Sequence, residues 1–161
     1  MKGKPIYIQS GVAADVVFGD QVKVILPVNL YGCLIGDQCF VGPFTEIQKG
    51  VTIGERTKIQ SHTFICELVT IGHNCFIGHG VTFINDKFED GEPAAGNKEK
   101  WKETKIGNFV SIGSGVTLLP VNICDHAVIG AGSVVTSDIE EPGCYAGNPA
   151  KLLKQIKKHN P

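Results

Sequence analysis

Four residues in the middle of the chain combine side chains that move protons with one that steadies negative charge: Glu67, His79, Asn85 and Asp86. An imidazole or a carboxylate can take a proton from a nucleophile as it attacks, and a side-chain amide can hydrogen-bond an oxyanion as it develops. Their spacing makes them a candidate set. Glu67 and Asn85 are 18 residues apart, His79 lies six before Asn85, and Asp86 follows it directly. If the chain closes a turn every 18 residues, positions 18 apart stack at one strand spacing and positions six apart sit one corner away. Each residue also has a plainer reading. His79 suits a surface corner, Glu67 suits solvent, and Asn85-Asp86 suits the bend where a loop leaves.

The elements that would position them are written in a period of six. From Ile35 to Phe83 an apolar residue falls at every sixth position: Ile35, Val41, Ile47, Ile53, Ile59, Ile65, Ile71, Ile77 and Phe83. Glycine follows at Gly36, Gly42, Gly54, Gly72 and Gly78. Six fits neither a helix nor an alternating strand. It fits a chain that turns a corner every six residues, three flat sides closing one coil, and such hexads signal a parallel β-helix. Val12, Phe18, Val24 and Leu30 extend the ladder upstream, with a slip of one residue before Ile35. Ile106-Gly107, Ile112-Gly113 and Leu118 restart it downstream, and one more slip leads to Ile123, Ile129-Gly130 and Val135. The expected fold is therefore all-β: a β-helix over 1–147, six or seven coils and roughly 30 Å tall.

Composition agrees with one repetitive domain. The 161 residues include 20 glycines but few aromatics, which suits tight corners around a narrow interior. A net charge of −1 gives no footprint for nucleic acid. No apolar run reaches membrane-spanning length and no signal segment opens the chain, so the expectation is a cytoplasmic protein without a membrane partner. Cys33, Cys39, Cys66, Cys75, Cys124 and Cys144 form no CxxC pair and read as small packing residues, and no metal is expected.

Two segments break the repeat. The excursion over 85–105 is polar and holds the only tryptophan, Trp101. A loop of that length is usually functional, and Trp101 and Phe88 call for a surface to dock on. In the tail, Asn148-Pro149 reads as a helix start, with Leu152, Leu153 and Ile156 on one side and Lys151, Lys154, Lys157 and Lys158 around them. A capping α-helix over 148–161 is the expectation, with the lysines available to phosphates.

The ladder, the Phe83-Ile84-Asn85-Asp86 exit, the Ile129-Gly130-Ala131-Gly132-Ser133 coil and the Gly147-Asn148-Pro149-Ala150-Lys151 tail together resemble the hexapeptide-repeat acyltransferases. Within them the chain looks most like the N-acetyltransferases that make 3-acetamido-3,6-dideoxyhexoses on dTDP. The resemblance implies a left-handed coil, a homotrimer, and acetyl-CoA as cosubstrate lying between neighbouring prisms. It also implies a nucleotide-linked amino sugar as acceptor and a place in lipopolysaccharide biosynthesis. It carries cofactor binding onto Gly113, Ser114, Ala131, Gly132, Ser133, Asn148, Pro149, Lys151 and Lys154, and the acceptor amine onto Asn85, Asp86, His79 and Glu67. One departure stands out. Galactoside, maltose and serine acetyltransferases carry a His-Pro pair near such a loop, whereas this chain reads Asn85-Asp86-Lys87-Phe88. That favours an amine, which attacks unaided when neutral, over a hydroxyl. The alternatives are an O-acetyltransferase acting on a sugar hydroxyl or small molecule, and a β-helix that is non-catalytic or metal-dependent, with a zinc site on His62, His73 and His79.

Overall fold

The computed structural model describes residues 11–156. The chain winds into a left-handed parallel β-solenoid of about seven turns with almost no helix. Each coil lays one short strand on each of three flat faces. The first face stacks Val17–Phe18, Leu34–Ile35, Thr52–Ile53, Val69–Ile71, Thr104–Ile106 and Asn122–Ile123. The second stacks Lys23–Val24, Phe40–Val41, Lys58–Ile59, Phe76–Ile77, Ser111–Ile112 and Val128–Ile129, and ends in Gly143–Gly147 and Ala150–Gln155. The third stacks Asn29–Leu30, Glu46–Ile47, Phe64–Ile65, Thr82–Phe83, Thr117–Leu118 and Val134–Val135.

From Leu30 to Val135 the hexad residue is the buried one on every side, whereas Val12 and Phe18 in the first coil are 44% and 39% exposed. Ile35, Val41, Ile47, Ile53, Ile59, Ile65, Ile77 and Phe83 are 0% exposed and Ile71 is 1% exposed. Each contributes about 1.5–3 kcal/mol of burial. The glycines after them have a packing reason. A Cβ on Gly54 would lie 2.6 Å from the carbonyl carbon of Gly72 in the next coil, so a side chain there would push the coils apart.

Coil length accounts for the slips. Leu34 pairs with Thr52, 18 residues on, whereas Val17 pairs with Leu34 and Lys105 with Asn122, each 17 on. The missing residue falls at the corner between the third and first faces each time. At the excursion, Thr70 pairs with Lys105, so one coil carries the whole insertion and stacking resumes in register.

The tail corrects an expectation. No helix forms over the described part of 148–161. Gly143–Gly147 adds to the second face in parallel with Val128–Ile129, and Ala150–Gln155 returns antiparallel to it, pairing Tyr145 with Leu152 and Ala146 with Lys151. A helix of this length is marginal alone, whereas the last coil offers a row of open N–H and C=O groups that a returning strand satisfies. Lys157 and Lys158 lie outside the described residues.

Candidate active site

Three of the four candidate catalytic residues meet at the corner between the third and first faces. Asn85 stacks over Glu67 as the 18-residue spacing predicts, its Nδ2 donating to the Glu67 carbonyl at 3.2 Å. The excursion leaves here and comes back here, because the Lys102 N–H donates to the Asn85 carbonyl at 2.9 Å. The Asp86 carboxylate accepts from the N–H groups of Phe88 at 3.0 Å and Ala94 at 2.7 Å. Glu67 holds the far part of the loop through Lys98 at 2.6 Å, a half-exposed pair worth at most about 1 kcal/mol. Lys98 also lies over the Trp101 ring, 5.3 Å from its centroid. Trp101 is thereby half-buried, while Phe88 stays exposed at a backbone φ of +52°. Within one chain, then, Trp101 is partly covered, with Lys98 of its own loop over the ring, and Phe88 is not.

His79 stands elsewhere. It occupies the corner between the second and third faces, one corner from Asn85 as the lattice requires. There it joins a column set by the strand register: Ser61, His79, Ser114 and Ala131 in successive coils. Ser61 Oγ lies 2.8 Å from His79 Nδ1 and fixes the ring. The tautomer with its hydrogen on Nδ1 donates to Ser61 and leaves Nε2 free to take a proton. Ser61 is not among the residues that the sequence singles out, although its spacing of 18 from His79 is the same signal that pairs Glu67 with Asn85.

Above His79 this corner is bare. Gly80, Gly115 and Gly132 stack with φ of +64°, +68° and +70°, and nothing lies within 4 Å of where their side chains would be. Backbone conformation alone does not demand glycine. The corner between the first and second faces uses the same positive φ at Gln38, Arg56, Asn74, Phe109 and His126, and this corner itself uses it at Phe44 and His62 lower down. The three glycines therefore make an open backbone track beside Ser114 and Ala131, with His79 at its foot. Gly113, by contrast, is a packing glycine, its Cβ position 2.5 Å from the Ala131 nitrogen.

Other candidates take different places. Ser133 is 1% exposed and turned inward; its hydroxyl donates to the Gly130 carbonyl at 2.6 Å and accepts from the Gly147 N–H at 3.1 Å. Its side chain anchors the hairpin instead of facing the track. Asn148 and Pro149 form the hairpin turn, and Lys151 and Lys154 are exposed on the returning strand. Cys33, Cys39, Cys66 and Cys75 are buried free thiols, and burial pushes Cys33 up to about 11 and Cys66 up to about 12. His62 stacks on Phe44 with ring centroids 4.9 Å apart and His73 sits edge-on to Phe109 at 5.1 Å. Among the described residues no three His, Cys, Asp or Glu side chains come together to hold a metal, and no helix is long and apolar enough to cross a membrane.

A model of the bacterial transferase hexapeptide (six repeats) matches residues 32–67, and one of the hexapeptide repeat of succinyl-transferase matches 68–84 and 103–137, together more than half of the chain. The chain is 34% identical over 157 residues to the bifunctional protein GlmU of Wolbachia pipientis, covering 88% of this chain and 36% of that protein. It thus spans about a third of the curated relative's length. Among solved structures, a hexapeptide-repeat acetyltransferase of Vibrio cholerae complexed with acetyl-CoA superimposes with a TM-score of 0.66 at 25% identity, over 80% of this chain and 73% of that one. A mutant of AntD, an N-acyltransferase from Bacillus cereus in complex with dTDP and coenzyme A, gives 0.72 at 20% identity, over 89% and 84%. The coils, their interruption and both family models agree: the chain belongs to the hexapeptide-repeat acyltransferases.

Proposed function

We propose that this protein is an acetyl-CoA-dependent N-acetyltransferase whose acceptor is the amine of a nucleotide-linked amino-deoxy sugar. The observation that carries the reading is the bare track of Gly80, Gly115 and Gly132 ending at a histidine held by Ser61. A pantetheine arm is long, thin and rich in amides, and a glycine edge lets it lie against backbone groups. The Vibrio cholerae relative, which binds acetyl-CoA on the same fold, supports that use of the track. Ser114, Ala131 and Gly132 line it, Gly113 keeps two of its coils in contact, and Lys151 and Lys154 on the returning strand meet the cofactor phosphates.

In this reading the protein acts as a homotrimer. The loop root of one chain, with Asn85, Asp86 and Glu67, faces the His79 corner of its neighbour, because the two corners stand apart within one chain. The neutral amine attacks the thioester carbonyl, a C–N bond forms, and the C–S bond breaks to release the CoA thiolate. His79 Nε2 takes the proton lost by the amine and passes it to the thiolate. Asn85 and Asp86 orient the sugar, and the absence of a His-Pro pair at Asn85-Asp86 favours an amine over a hydroxyl acceptor. A thiol-release assay with acetyl-CoA against a panel of nucleotide-linked amino sugars tests this. Turnover with an amino sugar and none with its hydroxyl counterpart is the expected result; release only with hydroxyl acceptors would overturn it.

A further inference from the structure

The lower half of the second face carries a pattern that the acyl-transfer site does not use. Its outward positions read Lys23, Phe40, Lys58 and Phe76 in successive coils, because Lys23 pairs with Phe40, Phe40 with Lys58 and Lys58 with Phe76. Cations and aromatic rings thus alternate at one strand spacing, over roughly 14 Å in all. Two grooves of about 570 and 520 Å³ run along this column and share Gln38 and Lys58. Neither has a carboxylate in its lining, and Arg56 joins Lys58 as a second cation in the upper one.

Internal pairing does not account for the pattern. Among the described residues neither Lys23 nor Lys58 makes an ion pair with a carboxylate, and the one cation over an aromatic ring is Lys98 on Trp101. Arg56 alone is engaged, with Glu55 and Asn74. Phe76 is left 42% exposed, one strand spacing from Lys58, whose ammonium makes no ion pair among the described residues. Rings at this spacing from cations match a ligand in which a flat heterocycle adjoins closely spaced phosphates. A polyanion such as nucleic acid fits poorly with a chain of net charge −1.

We infer that this column binds a nucleoside diphosphate, the base stacking on Phe76 and the diphosphate lying on Lys58 and Lys23. This rests on the reading above, which requires a nucleotide-linked acceptor, and it says where on this chain the nucleotide half goes. The position suits it: Phe76 is three residues before His79, and Gln60, which lines the lower groove, precedes Ser61. The column therefore leads from the nucleotide up to the corner where the amine would react.

Titration calorimetry on the full chain decides it, with thymidine and uridine diphosphates, thymidine alone and inorganic pyrophosphate as probes. The diphosphates should bind, and tighter than either fragment. Lys58→Glu and, independently, Lys23→Glu should weaken them about tenfold or more. Phe76→Ala should weaken the diphosphates and leave pyrophosphate unchanged. All three side chains point outward, so each variant should keep the native thermal transition, and that transition is checked alongside. Wild-type affinity in both lysine variants, or no binding of any diphosphate, overturns the assignment. Thiol release in the same preparations separates it from the proposed function. Amino-sugar turnover with an unchanged KM in Lys58→Glu sinks the column alone. Nucleotide binding lost in the variants, with no amino sugar ever acetylated, sinks only the acyl-transfer reading.

Discussion

Two glycines two residues apart, Gly113 and Gly115, should fail in opposite ways when given a side chain. A methyl on Gly113 would sit 2.5 Å from the Ala131 nitrogen and 2.8 Å from its Cα, inside any real contact and against backbone that cannot rotate away. The coils must part or tilt, and overpacking of that sort costs about 1–3 kcal/mol. For a chain of this size each kcal/mol lowers Tm by about 2–4 °C. Gly113→Ala should therefore melt roughly 2–12 °C earlier. Gly115 has nothing within 4 Å, and its φ of +68° is one that asparagine adopts readily. Gly115→Asn should leave Tm within about 2 °C. It plants an amide in the track, however, so KM for acetyl-CoA should rise about tenfold, equivalent to roughly 1.4 kcal/mol, with binding lost in parallel. Differential scanning calorimetry and steady-state kinetics on both variants check the pair. A native-like KM in Gly115→Asn would remove the track from the mechanism, and a native Tm in Gly113→Ala would refute the packing argument.

Replacing Lys151 and Lys154 together with Glu should raise KM for acetyl-CoA and leave the thermal transition in place; an unmoved KM would reduce the hairpin to a structural end piece. His79→Ala should cost roughly 10²–10⁴-fold in kcat if His79 takes the proton, whereas Asn85→Ala should cost about tenfold. Asp86→Asn should also speed proteolysis of the loop, because it weakens the bonds to Phe88 and Ala94; wild-type turnover in all three variants would move the site elsewhere. Sedimentation should give the mass of three chains, and a monomer would remove the shared site. Burial holds the Cys66 thiol near 12, above its unfolded value of 9.0. The native state therefore keeps that proton more tightly. Its contribution is full below about pH 9 and fades as pH rises toward 12, so urea midpoints should fall between pH 8 and 10.5, and less so in Cys66→Ala.

The inward residues were legible because from Leu30 to Val135 one hexad position points into the core. Ile35 to Phe83 could be listed from spacing alone, and so could the stacking of Asn85 on Glu67. What the spacing does not carry is which corner belongs with which chemistry. Lattice arithmetic put His79 one corner from Asn85, yet its partners in space are Ser61 and the Gly115–Gly132 track, which adjoin it by register. The tail misled for a different reason. Asn148-Pro149 and the Leu152, Leu153, Ile156 spacing are local signals for a helix, whereas the open edge of Gly143–Gly147 is a property of the finished coil. Ser133 likewise stands in a glycine-rich stretch that looks exposed, but its hydroxyl is consumed by Gly130 and Gly147.

The returning strand has a consequence for how the coil ends. A stack of parallel strands has no intrinsic last member, and an open coil invites the next chain to continue it end to end into a fibre. Ala150–Gln155 runs against the direction of the sheet it closes, so a second molecule's coil cannot carry on in the parallel register on that face. Its edge also carries Lys151 and Lys154, which repel an identical edge. The reversal that replaced the expected helix thus serves as a stop against polymerisation.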